Sequence, residues 1–136
     1  MQSDNKDHFL SQGIDIVDIS RIDKVFRRFK DKFLKKVLTQ NELKNLKRKS
    51  NFIRSLASSF AAKEAFVKAL GSGLRNGIFF NIIEVDHDNY GKPLIKLNKE
   101  SKKKIKDFDE KFDNFNINLS ISDEKRYTVA LVTIFK

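Results

Sequence analysis

The stretch Ser59-Phe60-Ala61-Ala62-Lys63-Glu64-Ala65-Phe66-Val67-Lys68-Ala69-Leu70-Gly71 constrains this chain more than any other. Ala, Lys, Glu and Leu dominate it and favour a helix, and Gly71 stands where a C-terminal stop belongs. Leu56, Phe60, Val67 and Leu70 form one apolar stripe at helical spacing, and Ala62, Phe66, Ala69 and Gly73 form a second. The third face holds Ala57, Ala61, Glu64, Lys68 and Gly71. Two apolar faces predict a helix that is largely buried, with Glu64 and Lys68 buried along with it. The small residues around that pair would let another backbone or a ligand approach closely. A buried carboxylate needs a partner, and a cation supplies one. As an ordinary surface pair, Glu64 and Lys68 would contribute only about 0.2–0.5 kcal/mol. What sets them apart is a second stretch upstream.

Phe9 to Ile22 reads as a strand through about Val17, followed by a turn into a helix that Asp18 or Ser20 can cap. In an extended segment Ile14 and Ile16 point one way, and Asp15 and Val17 the other. Asp15 therefore interrupts an apolar strand, close to Gly13, where a second backbone can approach. An acid in such a place serves as a ligand, a cap or a structural hydrogen-bond partner. If Asp15 on its strand converges with Glu64 on its helix, the two make a site for Mg²⁺. That ion typically takes one or two protein carboxylates together with substrate phosphate and water. Lys68, one turn beyond Glu64, would meet a phosphate on the same metal. Such a constellation suits phosphoryl chemistry, where positioning and charge neutralisation carry most of the catalysis.

Composition narrows the field. The chain has 136 residues, of which 40% are hydrophobic and 34% charged, as in a globular protein with room for one real core. The expected division is a polar N-terminal extension over residues 1–8 and a single domain over 9–136. With no cysteine, disulfides and thiolate metal sites are excluded. The histidines, His8 and His87, lie far apart and lack neighbouring metal-ligand partners, which argues against Ser-His or Cys-His catalysis. The start of the chain carries no apolar secretion segment, and no run approaches the length of a membrane span, so a cytoplasmic protein is expected. The net charge of +10, from 28 basic and 18 acidic residues, favours acidic or phosphorylated partners. The joint richness in Lys, Asn, Ile and Phe is also what an AT-rich coding sequence gives.

The remaining elements follow in order. Ile22, Val25, Phe26, Phe29 and Phe33 repeat at helical spacing, and Arg21, Lys24, Arg28, Lys32 and Lys36 do so on another face. This predicts an amphipathic basic helix with a break near Asp31, either a solvated face or a dock for an acidic helix or polyanion. Thr39 and Glu42 fit a capping box opening a short helix through Lys47, and Arg48 to Asn51 reads as a basic loop. The long helix runs from about Asn51 to Leu70. The loop Gly71-Ser72-Gly73-Leu74-Arg75-Asn76-Gly77 is rich in glycine and can wrap a phosphate with backbone N–H groups, although it lacks a dinucleotide or P-loop pattern. Phe79 to Val85 and Leu94 to Leu97 predict a hairpin about Asp88 to Pro93, Asn98 to about Phe112 an amphipathic helix, and Asn116 to Ser122 with Tyr127 to Phe135 a second hairpin. The fold class expected is α+β, an antiparallel β-sheet packed against a long central helix.

Two motifs together resemble a known family. Gly13-Ile-Asp15-Ile-Val-Asp-Ile-Ser-Arg21 is similar to its G-x-D…R strand motif, and Phe60-Ala-Ala-Lys-Glu64-Ala-Phe-Val-Lys68-Ala to its F-x-x-K-E-A-x-x-K-A helix motif. The family is the 4′-phosphopantetheinyl transferases, and the short chain resembles their holo-acyl-carrier-protein synthase type. The Gly71–Gly73 loop, the Asn89-Tyr-Gly91-Lys92-Pro93 turn and the strand around Asn118, Ser120 and Ser122 also match. The resemblance covers nearly the whole chain from about Leu10.

The resemblance implies transfer of the phosphopantetheine arm of coenzyme A to a serine of apo acyl carrier protein, with release of adenosine 3′,5′-bisphosphate. It implies Mg²⁺ held by Asp15 and Glu64, with Glu64 and Lys68 catalytic and Lys68 neutralising phosphate charge. Lys63, Lys68, Gly71, Ser72, Gly73 and Ser120 would hold the nucleotide. Arg21, Arg28, Lys32, Phe33 and Lys36 would dock the acidic carrier. It further implies a homotrimer with sites between neighbours, which would bury exposed apolar strand faces. Many members carry a histidine where this chain has Asn118; a metal-activated water or Glu64 itself would then take the serine proton. Many also carry a large or basic residue where this chain has Ser59.

Two other readings compete. A nucleic-acid-binding module would use the positive charge, but its phenylalanines fall at core spacing and it gives Asp15 and Glu64 no task, so no nucleic-acid partner is expected. A coenzyme A or carrier-protein binder of the same fold, without activity, is opposed by the intact Asp15, Glu64 and Lys68. Mg²⁺-dependent transfer separates these readings.

Overall fold

The computed structural model describes residues 6–46 and 50–136. Met1–Asn5 of the polar N-terminal segment lie outside the described residues, as do Lys47 at the expected end of the short helix and Arg48 and Lys49 of the basic loop. The chain runs β1 (Phe9–Asp18), α1 (Ile19–Phe29), α2 (Asp31–Val37), α3 (Gln40–Leu46), α4 (Phe52–Leu70), a 3-10 turn at Phe80–Ile82, β2 (Glu84–His87), β3 (Pro93–Lys96), α5 (Lys99–Phe108), β4 (Asn116–Asp123) and β5 (Tyr127–Phe135).

An antiparallel three-stranded sheet of order β1-β5-β4 packs on α4, and β2 and β3 form a separate antiparallel hairpin. The register sorts the side chains. Gly13, Asp15 and Val17 share the inner face with Val132, Ala130 and Thr128 of β5 and with Leu119 and Ile121 of β4. Ile14 and Ile16 share the outer face with Leu131, Val129, Ser120 and Ser122. The inner face meets α4, whose Leu56, Ala57, Ala61, Ala62, Ala65 and Phe66 are fully buried. Gly13 sits so close to α4 that a methyl group in its place would strike the Ala65 carbonyl and stand 2.7 Å from the Ala69 nitrogen. The small-residue character of the helix is thus used for backbone contact with β1.

Local chemistry accounts for the element ends. Asp18 caps α1 by accepting from the Ser20 N–H at 2.9 Å and the Ser20 hydroxyl at 2.7 Å. The break expected near Asp31 falls at Lys30, whose φ of 45° and ψ of −120° separate α1 from α2. Thr39 and Glu42 form the capping box, Thr39 N–H to Glu42 at 2.8 Å and Glu42 N–H to the Thr39 hydroxyl at 3.2 Å. Gly71 ends α4 in the left-handed region at φ 74°, donating to the Val67 and Lys68 carbonyls.

Two expectations need correction. The strand expected over Phe79 to Val85 starts only at Glu84, after the 3-10 turn. The Phe80 and Ile82 carbonyls are taken by the Lys63 ammonium and the Ser101 hydroxyl, which replaces ladder pairing with side-chain anchoring. The helix expected to reach about Phe112 stops at Phe108, because Asp109 turns extended and its carboxylate accepts from the Lys111 N–H at 3.1 Å.

Candidate active site

Asp15 and Lys68 meet where α4 crosses β1. The Lys68 ammonium lies 3.0 Å from the Asp15 carboxylate and 3.1 Å from the Ile14 carbonyl. The Asp15 side chain is only 15% exposed and that of Lys68 54%, so the pair lies at the mouth of the β1–α4 contact. Glu64, one turn back on the same helix, is half-buried. Burial first and the Asp15 charge second raise its pKa, and Lys68 pulls it partly back. Two carboxylates thus lie within each other's field and are answered by one lysine. Lys68 is exposed, however, and not buried as the helix pattern suggested.

The donor set fits Mg²⁺. Among the described residues no cluster of three or more His, Cys, Asp or Glu side chains forms a metal cage. Two carboxylates and no imidazole or thiolate suit a hard ion that leaves most of its coordination to phosphate and water.

The Gly71–Gly73 loop begins at the end of α4, three residues after Lys68. Gly71 and Gly73 are exposed, whereas Ser72 is fully buried and its hydroxyl donates to the Gly73 carbonyl at 2.8 Å. The Ser72 hydroxyl is thus spent inside the loop, and what the loop can offer a phosphate is its backbone, as expected of a glycine-rich turn.

Lys63 also needs correction. It was expected to help hold the nucleotide, yet its side chain is wholly buried. Its ammonium donates to Glu42, the Val37 carbonyl and the Phe80 carbonyl, which uses all three of its protons. Burial pulls its pKa down, and the charge and hydrogen bond of Glu42 oppose that shift. Glu42 also accepts from the Val85 N–H at 3.1 Å, and Thr39 bonds Glu84 at 2.9 Å. Lys63 thus fastens α2, α3, the 3-10 turn and β2 onto α4. The capping box identified Glu42, but nothing in the spacing of residues 42 and 63 announced that they pair.

Ser120 projects from the outer face of the sheet, as does Asn118, with β5 between their strand and β1. Asp15 projects from the inner face. Ser120 is therefore not brought to Asp15, Glu64 and Lys68 within one copy of the chain. On α1 and α2, Arg21, Arg28, Lys32 and Lys36 are all exposed. Phe33 is half-buried and packs toward Phe60, with ring centroids 6.3 Å apart. The exposed aromatic of this basic face is Phe29, 49% exposed beneath the Arg28 guanidinium. Its place in the apolar repeat had marked it for the core.

Residues 11–132 match the 4′-phosphopantetheinyl transferase superfamily. The holo-[acyl-carrier-protein] synthase of Wigglesworthia glossinidia brevipalpis is 42% identical over 126 residues, spanning 88% of this chain and 87% of its own. The crystal structure of the holo-[acyl-carrier-protein] synthase of Neisseria meningitidis is similar at 34% identity and a TM-score of 0.83, covering 93% of this chain and 98% of that one. The Helicobacter pylori holo-[acyl-carrier-protein] synthase, solved in complex with coenzyme A, is similar at 37% identity and a TM-score of 0.74, covering 90% and 98%. With its two motifs joined in space and its sequence and fold matched over nearly their whole length, this chain belongs to the 4′-phosphopantetheinyl transferase superfamily.

Proposed function

We propose that this chain is a holo-[acyl-carrier-protein] synthase, a transferase of fatty acid biosynthesis. It moves the 4′-phosphopantetheine arm of coenzyme A to a serine of apo acyl carrier protein. The observation that carries this reading is the meeting of Asp15, Glu64 and Lys68 beside the Gly71–Gly73 loop, in a chain whose relatives bear that name. The serine hydroxyl gives up its proton to water or to Glu64, and its oxygen forms a bond to the β-phosphorus of coenzyme A. The bond from that phosphorus to the bridging oxygen breaks, and adenosine 3′,5′-bisphosphate leaves with it. Asp15 and Glu64 would hold Mg²⁺, which when bound neutralises charge on the pyrophosphate. The Lys68 ammonium answers the negative charge of the same phosphates. Backbone N–H groups of the Gly71–Gly73 loop receive phosphate oxygens.

The exposed Arg21, Arg28, Lys32 and Lys36, with Phe29 among them, would dock the acidic carrier. A homotrimer accounts for two further features. Ile14 and Ile16 stand 59% and 63% exposed on the outer sheet face, an apolar stripe that asks for cover. Ser120 and Asn118 share that face and are held away from their own chain's carboxylates, so a neighbour's site is the one they could serve. No described helix is long and apolar enough to cross a membrane, and we place the enzyme in the cytoplasm.

The test is direct. Protein, apo acyl carrier protein, coenzyme A and Mg²⁺ are mixed, and the carrier is weighed by mass spectrometry. A gain of one phosphopantetheine arm, lost with Glu64→Ala and with a chelator, supports the reading. No gain from folded protein and competent carrier would leave a binding protein.

A further inference from the structure

A cavity of about 800 Å³ lies away from the Asp15–Glu64 carboxylates and is assigned no role by the transfer reaction. It opens along the seam between β3 and β4. These strands lie side by side, Pro93 and Ile121 lining a smaller pocket at one end of the seam and Leu97 and Ile117 this cavity at the other. They nevertheless belong to different sheets, and no ladder joins them. The loop returning from α5 to β4 closes the far side, with its left-handed Asn114 (φ 48°) at the cavity wall.

The lining has two distinct parts. Its floor is apolar: Ile95, Leu97, Phe115 and Ile117 are each half-buried, so part of each side chain faces the cavity. Its rim is cationic: Lys96, Lys102, Lys103 and Lys106 stand against a single carboxylate, Asp113. Lys96 is held by Asp86 at 2.6 Å and Lys106 by Asp113 at a longer 3.5 Å. Lys102 and Lys103 have no ion-pair partner among the described residues, and both are exposed. A volume of this size is within the range of small-molecule sites. A ligand suited to both parts has a flexible apolar body for the floor and an anionic head for the lysines. A nucleotide fits poorly, because Phe115 is the only half-exposed aromatic and no glycine-rich loop lines the cavity. A zwitterionic or cationic amphiphile would leave the lysine charges unanswered.

We propose that this groove binds the anion of a long-chain carboxylic acid, its chain over Ile95, Leu97, Phe115 and Ile117 and its carboxylate between Lys102 and Lys103. The site is separate from the transfer site and does not rest on the assignment of that activity.

The experiment is a calorimetric titration of the full-length protein with dodecanoate below its micellar concentration. Dodecyltrimethylammonium serves as the opposite-charge control and vesicles of anionic phospholipid as a second arm. Saturable binding of one dodecanoate per chain is expected, with about tenfold or greater weakening in Lys102→Glu/Lys103→Glu and none in Lys125→Glu, which lies exposed in the turn between β4 and β5. Both charge reversals are at exposed positions and should leave the fold intact, which circular dichroism checks. Absence of saturable dodecanoate binding would overturn the proposal. So would equal binding by the charge-reversed variant, equal binding of the cationic amphiphile, or binding to vesicles alone.

Discussion

Lys63 and Lys68 stand five residues apart on one helix, and both belong to the same sequence motif. Their surroundings set them to opposite tasks. Lys63 is turned inward, fully buried, with its three protons given to Glu42, Val37 and Phe80. Lys68 is half-exposed and pairs with Asp15 and the Ile14 carbonyl at the edge of β1. A charge that has met all its partners inside the protein holds the fold and has nothing left for a substrate. A charge at a solvent-facing mouth, holding one carboxylate, can be redirected to a phosphate. Residue type and motif membership are shared; burial and partner geometry decide the role.

The largest expected effect is on the buried lysine. Lys63→Met leaves Glu42 buried without its cation, and breaking one side of such a pair costs about 3–5 kcal/mol. Urea or thermal unfolding should show that loss, with the midpoint falling on the order of 10–20 °C. Adding Glu42→Gln should recover part of it, because the orphaned charge is removed. If Lys63→Met unfolds like the parent yet loses coenzyme A affinity, the contrast between the two lysines is wrong.

Lys68→Ala should do the reverse. Unfolding should change by less than about 1 kcal/mol, since the pair with Asp15 is partly exposed. Transfer should fall by about 10²-fold or more, as when one group that answers transition-state charge is removed. Mn²⁺, followed by electron paramagnetic resonance, should bind this variant at least as tightly as the parent, because the ammonium competing for Asp15 is gone. Loss of Mn²⁺ affinity would mean that Lys68 supports the metal site and does not compete with it.

Gly13→Ala separates the two lysines by another route. The added methyl meets α4 backbone at Ala65 and Ala69, so helix and strand must part. Overpacking of this kind costs about 1–3 kcal/mol. The displacement falls between Asp15 on β1 and Glu64 with Lys68 on α4, so transfer should drop more than stability alone accounts for. The Lys63–Glu42 bond, on another side of α4, should survive. A rate measured at a temperature where the variant is fully folded checks this.

Much of this was legible in the chain. The α4 stripes, the Gly71 stop, the capping box at Thr39 and Glu42, and the alternation in β4 and β5 are local signals, and each element formed where those signals were. Asp15 and Glu64 could be paired because an acid in an apolar strand and an acid on a small-residue helix face both demand an explanation. What escaped was long-range. Lys63 looked like a nucleotide ligand because its partner Glu42 lies on another helix and two of its acceptors are backbone carbonyls, which no side-chain pattern marks. That Ser120 stands on the opposite sheet face from its own chain's Asp15 was not visible either, because a motif records sequence order and not the face of the sheet. The 3-10 turn at Phe80 arose from Lys63 and Ser101 seizing carbonyls, again from distant elements. Phe29 and Phe33, neighbours in one apolar repeat, end in different environments because the backbone at Lys30 (φ 45°) reorients the helix between them.

The smallest effect concerns the residue between the two lysines. Glu64 has its pKa raised above the ordinary value of 4.5, chiefly by burial and next by the Asp15 charge. Over the interval between the ordinary and the raised value, the folded chain holds a proton that the unfolded chain has already lost. Stability therefore falls as pH rises through that interval, and the loss persists at neutral pH. Glu64→Gln removes the charge, so in metal-free buffer it should be more stable than the parent at pH 7 and indistinguishable from it below the ordinary value. The gain should stay under about 1 kcal/mol, because the carboxylate is half-exposed and water screens it. Its transfer activity should nonetheless be lost, since the amide cannot replace the carboxylate as a metal ligand. Denaturation midpoints of both proteins across acid to neutral pH decide the matter. A variant less stable than the parent at pH 7 would mean that Glu64 draws net stabilisation from Lys68, and the Asp15–Glu64–Lys68 group would then be a structural salt bridge like the one around Lys63.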